Sequence, residues 1–598
     1  MRAEELPVPV TGRPAMGWGS DAVAELLARL DLPYVSLVPG SSYRGLHDSL
    51  VNYLGNTKPE IVLCLHEEHA VAIAQGYAKV TGRPMAVALH SNVGLMHATM
   101  AVFDAFCDRV PMMVLGATGP VDAALRRPWI DWIHTTADQA ALIRNYCKWD
   151  DQPASVAAAL ESVMRAYVAT RTYPSAPTYV CLDAALQEAP LAEPVALPAP
   201  ERHPLPAPPA PSTAVVAQVL DALREARRPL VLVGRVGRGE QEWAARVELV
   251  ERLGACALTD LKTAAGFPTR HPLHPAVPGT RVTASGLELM RRCDLVLSLD
   301  WVDLAGTLAV AFGQGAGPRV ISCTDDFVLH NGWSKDHFGL APAEMSISAD
   351  PDLLVVALLD ALNGRDTPVR DGWPAAPAVS APRSGAESDG PHHEGELAMR
   401  ELAESLQAAL AGRPVAYTSF PHGWPGEAVD LEGPLDYLGH EGGGGVGAGP
   451  GIAVGAALAL ARSGRLPVAV IGDGDYLMGA SALWTAAHHR LPLLVVVANN
   501  RSYFNDEVHQ ERVALQRGRP VENRSVGQHI RNPDPDLAAL ASSLGLKGHG
   551  PVDDPEQLKA ALEAAVSEAE AGEAVVVDVR VSPHGYVGAA EGNRRGAA

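Results

Sequence analysis

A strand, helix and strand near the carboxyl terminus constrain the fold of this chain more than any other feature. Residues 467–503 read PVAVIGDGDYLMGASALWTAAHHRLPLLVVVANNRSY. Two short Val-rich runs, 468–471 and 493–497, are typical of buried strands, and the segment 476–490 between them favours a helix. Because such a crossover is right-handed and makes its two strands parallel, the sequence predicts an open α/β sheet.

Both strands end in residues that carry oxygen ligands. Asp473 follows the first strand and Asn500 the second, at the edge where open α/β sheets bind their ligands. With a backbone carbonyl near Ser502, they form a hard donor set suited to Mg²⁺ that also holds a phosphate. Gly472 and Gly474 would let phosphate oxygens approach the backbone. An EF-hand is excluded, because its alternating oxygen ligands and terminal Glu are missing.

A second block of chemical interest lies near the amino terminus, at residues 61–108. An apolar run is followed by a helical pattern that contains Glu67 and the GYA sequence at 76–78. His66 and His69 are three residues apart, whereas the HExxH zinc motif needs four, so such a zinc site is not expected. Taken alone, Glu67 is more typical of a solvated residue at a helix start.

Together the two blocks resemble the cofactor-binding motifs of thiamine-diphosphate enzymes of the 2-oxo acid decarboxylase and acetolactate synthase superfamily. GDG, the 27 positions from Asp473 to Asn500 and the NN pair resemble the diphosphate motif. The amino-terminal block resembles the pyrimidine-binding domain at Glu67, Ala70, Ala74, Gly76, Tyr77, Ala78, Thr81 and Gly82. The resemblance implies thiamine diphosphate and Mg²⁺ as cofactors. Glu67, ten residues before the Tyr, would hydrogen-bond N1′ of the aminopyrimidine so that its 4′-amino group can act as a base.

The chain is long enough for three domains. At 598 residues it exceeds the usual size of one domain, and two Pro-rich stretches, 187–212 and 365–395, are typical of linkers. We therefore expect three open, doubly wound parallel-sheet α/β domains: a pyrimidine-binding domain at 14–188, a middle domain at 212–364 and a diphosphate-binding domain at 395–585. The GRVGRG turn at 234–239 is more typical of a structural turn than of a phosphate loop, so no nucleotide or flavin site is predicted.

Composition excludes several classes of protein. A net charge of −21 and a pI near 5.4 argue against a partner nucleic acid. Seven scattered cysteines, no signal peptide and no apolar run of membrane-spanning length indicate a cytoplasmic protein without a membrane partner.

Within the superfamily, the sequence around the expected reaction centre resembles benzoylformate decarboxylase. LHS at 89–91 matches that enzyme and makes His90 a candidate active-site histidine, suited to moving protons. VPGSS at 38–42 resembles its NPGS loop and places Ser41 where a serine contacts the substrate carboxylate. The ALWTAA sequence at 482–487 also matches.

The same resemblance implies further residues at the cofactor. Val446 aligns with the bulky residue that wedges beneath the two rings, and the backbone of Gly444 would bind the pyrimidine amino group. Ser419 is a candidate contact of the diphosphate, and Tyr503 follows the metal loop. GDGD places Asp475 where relatives often have Ser, and an added carboxylate beside a diphosphate needs a donor or must point away.

The residues after Asn500 depart from the decarboxylase pattern. RSYFNDEVHQERVALQRGRP is more polar than an aromatic substrate wall. We expect Phe504, Glu507 and His509 on a short helix that faces the substrate. There Glu507 could accept a hydroxyl proton, as in 2-hydroxyacyl-coenzyme A lyases, or belong to a solvated helix face.

These observations lead to one main hypothesis and three alternatives. The main hypothesis is a thiamine-diphosphate and Mg²⁺ enzyme that decarboxylates a small 2-oxo acid, with carboligation as a second outcome. The alternatives are an acetolactate-synthase-like carboligase, a 2-hydroxyacyl-coenzyme A lyase and a catalytically silent cofactor-binding protein, which Glu67 argues against. The resemblance also implies a homodimer or homotetramer whose active sites lie between subunits.

Overall fold

The computed structural model has three α/β domains, and each is built on a parallel sheet. It describes residues 7–8, 15–313, 315, 317–326, 340–363 and 396–583. The predicted linker at 365–395 lies outside the described residues, as do the domain ends expected at 14, 364, 395 and 585. All the strand pairs within the described sheets are parallel, as the crossover pattern predicts.

The amino-terminal domain has a six-stranded sheet in the order β2-β1-β3-β4-β6-β5. Its strands are β1 (Tyr34–Leu37), β2 (Glu60–Leu63), β3 (Ala86–Leu89), β4 (Met112–Thr118), β5 (Trp149–Asp151) and β6 (Pro177–Asp183). Its helices are α1 (Gly19–Arg29), α2 (Arg44–Asp48), α3 (Glu67–Thr81), α4 (Ser91–Cys107), α5 (Ile130–Ile133), α6 (Val156–Arg171) and α7 (Ala184–Glu188). The Pro-rich segment that follows α7 contains one short 3₁₀ turn, at Pro200–Arg202.

The middle domain has a five-stranded sheet in the order β11-β10-β9-β7-β8. Its strands are β7 (Pro229–Val233), β8 (Cys256–Leu258), β9 (Leu295–Leu299), β10 (Arg319–Thr324) and β11 (Met345–Ser348). Its helices are α8 (Thr213–Glu225), α9 (Glu240–Leu253), α10 (Ala284–Arg292), α11 (Leu304–Phe312) and α12 (Pro351–Leu362).

The carboxyl-terminal domain has a five-stranded sheet in the order β12-β13-β14-β16-β15. Its strands are β12 (Val415–Ser419), β13 (Leu466–Gly472), β14 (Leu493–Asn499), β15 (Lys547–Val552) and β16 (Ala574–Arg580). Its helices are α13 (Met399–Ala409), α14 (Ala448–Leu460), α15 (Asp473–Gly479), α16 (Ala482–His489), α17 (Phe504–Gln516), α18 (Leu537–Ser543) and α19 (Pro555–Glu570). β14 is apolar along nearly its whole length because helices cover both faces of a parallel sheet.

The single helix predicted at 476–490 is wrong in detail. The chain forms two helices there, α15 and α16, with a break at 480–481. The crossover is nevertheless complete, and β13 pairs directly with β14 from Val468 opposite Leu494 to Gly472 opposite Ala498. Asp473 and Asn500 therefore leave neighbouring strands at the same edge of the sheet.

Helices α3 and α14 join the amino-terminal and carboxyl-terminal domains. They approach so closely that a Cβ on Gly76 would lie 2.0 Å from the carbonyl oxygen of Ile452, and one on Gly455 would lie 1.9 Å from that of Ile73. One apolar cluster continues from the first sheet through both helices to β13 and β14. Among the described helices, none is long and apolar enough to cross a membrane.

Candidate active site

Asp473, Asn500 and Ser502 converge at the end of the β13 and β14 pair. The backbone N–H of Ser502 donates to Oδ2 of Asp473 at 3.2 Å and to Oδ1 of Asn500 at 2.9 Å. All three residues are buried. Because Asp473 Oδ2 and Asn500 Oδ1 both accept the N–H of Ser502, the two oxygens lie close enough to bind one cation. The strand, helix and strand crossover predicts this arrangement.

The electrostatics of this cluster fit a divalent cation. Burial raises the pKa of Asp473 to about 6, although the backbone N–H groups of Gly474 and Ser502 oppose that rise. A positive ion would stabilise the buried carboxylate, and a carboxylate with an amide oxygen is a donor set that Mg²⁺ accepts. The residues present therefore fit the metal that the sequence implies.

Glu507 lies against Ser502 and is buried. The hydroxyl of Ser502 donates to its Oε1, and His529 Nε2 lies 3.1 Å from the same oxygen. Arg524 Nε lies 3.7 Å from Oε2. The alternative of a solvated helix face is therefore wrong for Glu507. Because the Ser502 hydroxyl is engaged here, a metal contact from Ser502 would have to come from its backbone carbonyl.

The residues after Asn500 form a helix that is longer than the short one predicted from the sequence. α17 extends over 13 residues, and Phe504 at its start packs into the core of the carboxyl-terminal domain. The polar sequence that departs from the decarboxylase pattern thus belongs to a longer helix anchored at its first turn.

The expected diphosphate contacts surround Asp473. Gly472 opens onto free space, since a Cβ there would meet no atom within 4 Å. Gly474 supports the half-exposed ring of Tyr503, whose nearest atom would be 2.7 Å from a Cβ on that glycine. Ser419, at the end of β12, is buried, and its hydroxyl donates to the carbonyl of Val470 at 3.4 Å.

The glycine-rich loop before α14 is held by Asp475. Oδ1 of Asp475 accepts hydrogen bonds from the N–H groups of Gly447 at 2.6 Å and Gly449 at 3.3 Å. The added carboxylate thus faces donors within the protein, as its position requires. Gly444 and Gly447 have positive φ values of 72° and 106°, which the turn needs. Val446 is 47% exposed between them.

Glu67 begins α3 and is buried against the first turns of α4. Its Oε2 lies 3.0 Å from Nδ1 of His97. A Cβ on Gly94 would lie 3.3 Å from its Cγ and 3.4 Å from its Oε1, so the glycine gives the carboxylate room. The side chain of His66 caps α3 by accepting the N–H of Glu68 at 3.2 Å. The solvated reading of Glu67 is therefore wrong.

His90 is clamped between the loop after β1 and the segment after α5. Its Nδ1 lies 2.9 Å from the hydroxyl and 3.4 Å from the backbone N of Ser42. Gly40 lies so close that a Cβ there would be 2.4 Å from that of His90. The ring of His134 meets it edge-on, with centroids 4.6 Å apart. Burial and His134 lower the pKa of His90, which keeps the imidazole neutral near pH 7.

Three polar residues at this site were not found from the sequence. Ser42, and not its neighbour Ser41, contacts the imidazole of His90, and nothing in a two-serine loop distinguishes them beforehand. His134 comes from a distant segment without a motif. His97 lies in the second turn of the helix that follows His90, and no motif marks it.

Family models cover all three domains. The carboxyl-terminal TPP binding domain of thiamine pyrophosphate enzymes matches residues 421–579, the amino-terminal TPP binding domain matches 17–142, and the central domain matches 216–307. Thiamine pyrophosphate is another name for thiamine diphosphate. The chain belongs to the thiamine pyrophosphate enzymes.

Relatives of known function place this thiamine pyrophosphate enzyme in the decarboxylase and acetolactate synthase group. Benzoylformate decarboxylase of Pseudomonas aeruginosa is 27% identical over 461 residues, which are 74% of this chain and 79% of the relative. The acetolactate synthase large subunit of Corynebacterium glutamicum is 26% identical over 91% of this chain and 85% of its own. The solved structure of benzoylformate decarboxylase from Polynucleobacter necessarius has a TM-score of 0.76 at 21% identity, covering 95% of this chain and 99% of that one. That structure supports the fold.

The carboxyl edge of the middle domain of this thiamine pyrophosphate enzyme is occupied by ion pairs. Arg109, from the turn between α4 and β4, lies 2.5 Å from Asp300, 2.7 Å from Asp325 and in contact with Asp326. Arg235 in the GRVGRG turn lies 3.2 Å from Asp300. A Cβ on Gly234 would meet the carbonyl of Asp300 at 2.1 Å. The turn therefore packs against β9 and joins two domains.

Both parts of the site also present apolar side chains to solvent. Leu65 and Met96, close in sequence to Glu67 and His97, are 46% and 57% exposed. Val446 and Met478, close in sequence to the diphosphate residues, are 47% and 58% exposed. Within the described residues, the carboxylate of Glu67 hydrogen-bonds only to His97 of its own domain. These four apolar side chains are thus exposed in a single chain of this thiamine pyrophosphate enzyme.

Proposed function

We propose that this thiamine pyrophosphate enzyme uses Mg²⁺ and decarboxylates a 2-oxo acid, with transfer of the product carbon to an aldehyde as a second outcome. The observation that carries the proposal is the clamped imidazole of His90 between Ser42, Gly40 and His134. It supports a neutral proton donor at the position that resembles the benzoylformate decarboxylase histidine.

The tautomer of His90 follows from its contacts. A backbone N–H can only donate, so the approach of the Ser42 N–H to Nδ1 makes that nitrogen an acceptor. The proton of the neutral ring is then on Nε2, which can donate to a substrate oxygen or carbon and take the proton back. Ser41, next to this contact, stays our candidate for binding the substrate carboxylate.

The cofactor would be held from two sides. Thiamine diphosphate supplies a nucleophilic carbon and an electron sink when it is bound. Asp473 and Asn500, with the backbone carbonyl of Ser502, would hold Mg²⁺ on the diphosphate. The residues that would line the bound cofactor are Gly472, Gly474, Ser419, Gly444 and Tyr503. Val446 would support the rings, and Glu67 would hold a proton at N1′.

Two other activities remain candidates with different support. Acetolactate-type carboligation is favoured by the acetolactate synthase relative, which aligns with 91% of this chain. Lyase activity on a 2-hydroxyacyl thioester depends on Glu507 as a base, and this carboxylate is already bonded to Ser502 and faces His529 and Arg524. We therefore place the lyase last.

We propose a dimer as the smallest active unit. The exposed apolar residues Leu65 and Met96 in one half, and Val446 and Met478 in the other, are candidates for burial in a subunit interface. A second copy related by a two-fold axis would cover both and bring Glu67 of one subunit to Asp473 of its partner. Association into a tetramer would leave this pairing unchanged.

The test is a product survey with matched controls. Purified protein with thiamine diphosphate and Mg²⁺ is given benzoylformate, pyruvate or 2-oxobutanoate, each with and without benzaldehyde or an acyl-coenzyme A ester. We expect CO₂ and the corresponding aldehyde from at least one oxo acid, and none from Asp473→Asn. Acetolactate from pyruvate without free aldehyde would support the carboligase instead, and cofactor binding without consumption of any oxo acid would overturn the proposal.

A further inference from the structure

His97 is the one hydrogen-bonding partner of the Glu67 carboxylate among the described residues. It lies in the second turn of α4, and its Nδ1 is 3.0 Å from Oε2 of Glu67. The His97 side chain is 51% exposed, whereas that of Glu67 is 11% exposed. The half-exposed ring of His97 thus contacts the nearly buried carboxylate of Glu67 from the solvent side.

The two oxygens of Glu67 have different surroundings. Oε2 is bonded to His97, whereas no hydrogen bond to Oε1 occurs within the described part of the chain. Oε1 lies beside Gly94, where the missing side chain leaves space. One oxygen is therefore restrained and the other is available to a ligand.

His66 restricts the ring of His97. The two imidazoles are nearly parallel, with an interplanar angle of 19° and centroids 5.0 Å apart. The Nδ1 of His66 accepts the N–H of Glu68, which fixes this ring at the start of α3. Burial, with the nearby His97, lowers the pKa of His66, so His66 adds no positive charge beside Glu67.

We propose that His97 is a positioning residue that acts through Glu67. Its Nδ1–H donates to Oε2, so that Oε1 is directed to N1′ of the cofactor pyrimidine. The inference rests on the proposed function and assigns a role to a residue that takes no part in the chemistry itself. A hydrogen bond to a charged group is among the stronger ones in proteins, so its loss has a measurable effect on cofactor binding.

The same cluster has the composition of a metal site. Ligand atoms of His66, Glu67 and His97 lie within 4.8 Å of one another. The lone pair of an imidazole nitrogen lies in the plane of its ring. The rings of His66 and His97 are stacked within 19° of parallel, so their lone pairs run side by side and do not converge on one ion. With one nitrogen of each histidine already hydrogen-bonded, the geometry favours a hydrogen-bonded support over an ion.

The test compares His97→Ala with His97→Gln, whose amide can still donate to Glu67. Thiamine diphosphate binding is measured with Mg²⁺ by isothermal titration, and unfolding is measured on cofactor-free protein. We expect His97→Ala to weaken binding about tenfold and His97→Gln to recover most of that loss, with unfolding unchanged in both. In a Glu67→Gln background, His97→Ala should have no further effect, because it acts through the carboxylate.

The outcomes separate this inference from the proposed function. If wild-type protein does not bind thiamine diphosphate, the proposed function fails first. If Glu67→Gln weakens binding but His97→Ala does not, or if the two effects add fully, the positioning role is overturned. A tetrahedral Co²⁺ absorption band that cofactor-free protein gains, and His97→Ala loses, would show a metal site and would also overturn it.

Discussion

The position of the His90 imidazole depends on the small residues Gly40 and Ser42 beside it. Gly40 leaves the space that the ring fills, and Ser42 fixes Nδ1 through its backbone as well as its hydroxyl. The orientation is therefore largely independent of the serine side chain. Proton transfer is then assigned to Nε2, the nitrogen that does not face Ser42.

Replacement of His90 tests that assignment. His90→Ala should lower kcat for decarboxylation about 100-fold, which is the usual scale of general acid catalysis, and leave the Kd for thiamine diphosphate unchanged. The exposed His203→Ala serves as a control and should have wild-type kinetics. Unaltered rates with every oxo acid would refute the role of His90 and the analogy with benzoylformate decarboxylase.

Asp104 is a buried carboxyl group that supports the glycine-rich loop. Its Oδ1 accepts the N–H of Gly445 at 3.3 Å, and Gly443 approaches the same carboxyl group. Burial, followed by the charges of Asp108 and Glu441, raises the pKa of Asp104 from 3.8 to about 8. The folded protein therefore holds a proton near neutral pH that the unfolded chain releases.

This proton makes stability depend on pH in a definite direction. Because the folded pKa is raised, the stabilisation is full below about pH 4 and is lost as the pH rises towards 8. Asp104→Asn cannot ionise, so its advantage in unfolding free energy over wild type should grow by up to about 1.4 kcal/mol per pH unit across that range. Denaturant unfolding from pH 5 to 9 measures it, with exposed Asp221→Asn as control. A constant difference would mean that Asp104 is ionised in the folded protein.

At the scale of the elements, the contact of α3 with α14 leaves no room for a side chain at Gly76. A Cβ on Gly76 would meet a backbone oxygen at 2.0 Å, and backbone cannot rotate away as a side chain can. Gly76→Ala should therefore lower the unfolding free energy by about 3 kcal/mol. Gly433→Ala, where the nearest atom would be 3.5 Å away, should change it by less than about 0.5 kcal/mol. Equal unfolding midpoints for the two variants would contradict the close packing.

The elements that position the diphosphate residues were predictable because one rule determines them. A buried strand, a crossover and a second buried strand can only be parallel, and this brings Asp473 and Asn500 together before any contact is known. The break within the predicted helix at 480–481 was not predictable, since Ala and Ser there are compatible with a continuous helix.

Contacts between distant segments account for what the sequence did not reveal. Asp475 could be recognised as unusual, but its bond to Gly447 depends on how the loop before α14 folds back. Arg109 meets Asp300 only because two domains pack together. Glu507 has a polar neighbourhood in sequence and yet is buried, because its partners Arg524 and His529 come from a later segment.

At the scale of the whole molecule, we expect active sites that are shared between two subunits. Glu67→Gln and Asp473→Asn homodimers should each be inactive. A heterodimer made by coexpression with two affinity tags has one site with both substitutions and one intact site. It should regain about half of wild-type activity, because each site takes one residue from each chain. A heterodimer as inactive as its parents would place both residues of a site in one chain.

We propose above all that Glu67 activates thiamine diphosphate held at Asp473 and Asn500. The most direct measurement of this role is the rate at which the C2 proton of bound cofactor exchanges with deuterium, followed by quenched-flow NMR without any substrate. Wild-type protein with Mg²⁺ should exchange this proton at least about 100-fold faster than Glu67→Gln, while both proteins show the same thermal unfolding. Equal exchange rates in the two proteins, with cofactor bound to both, would contradict this role of Glu67.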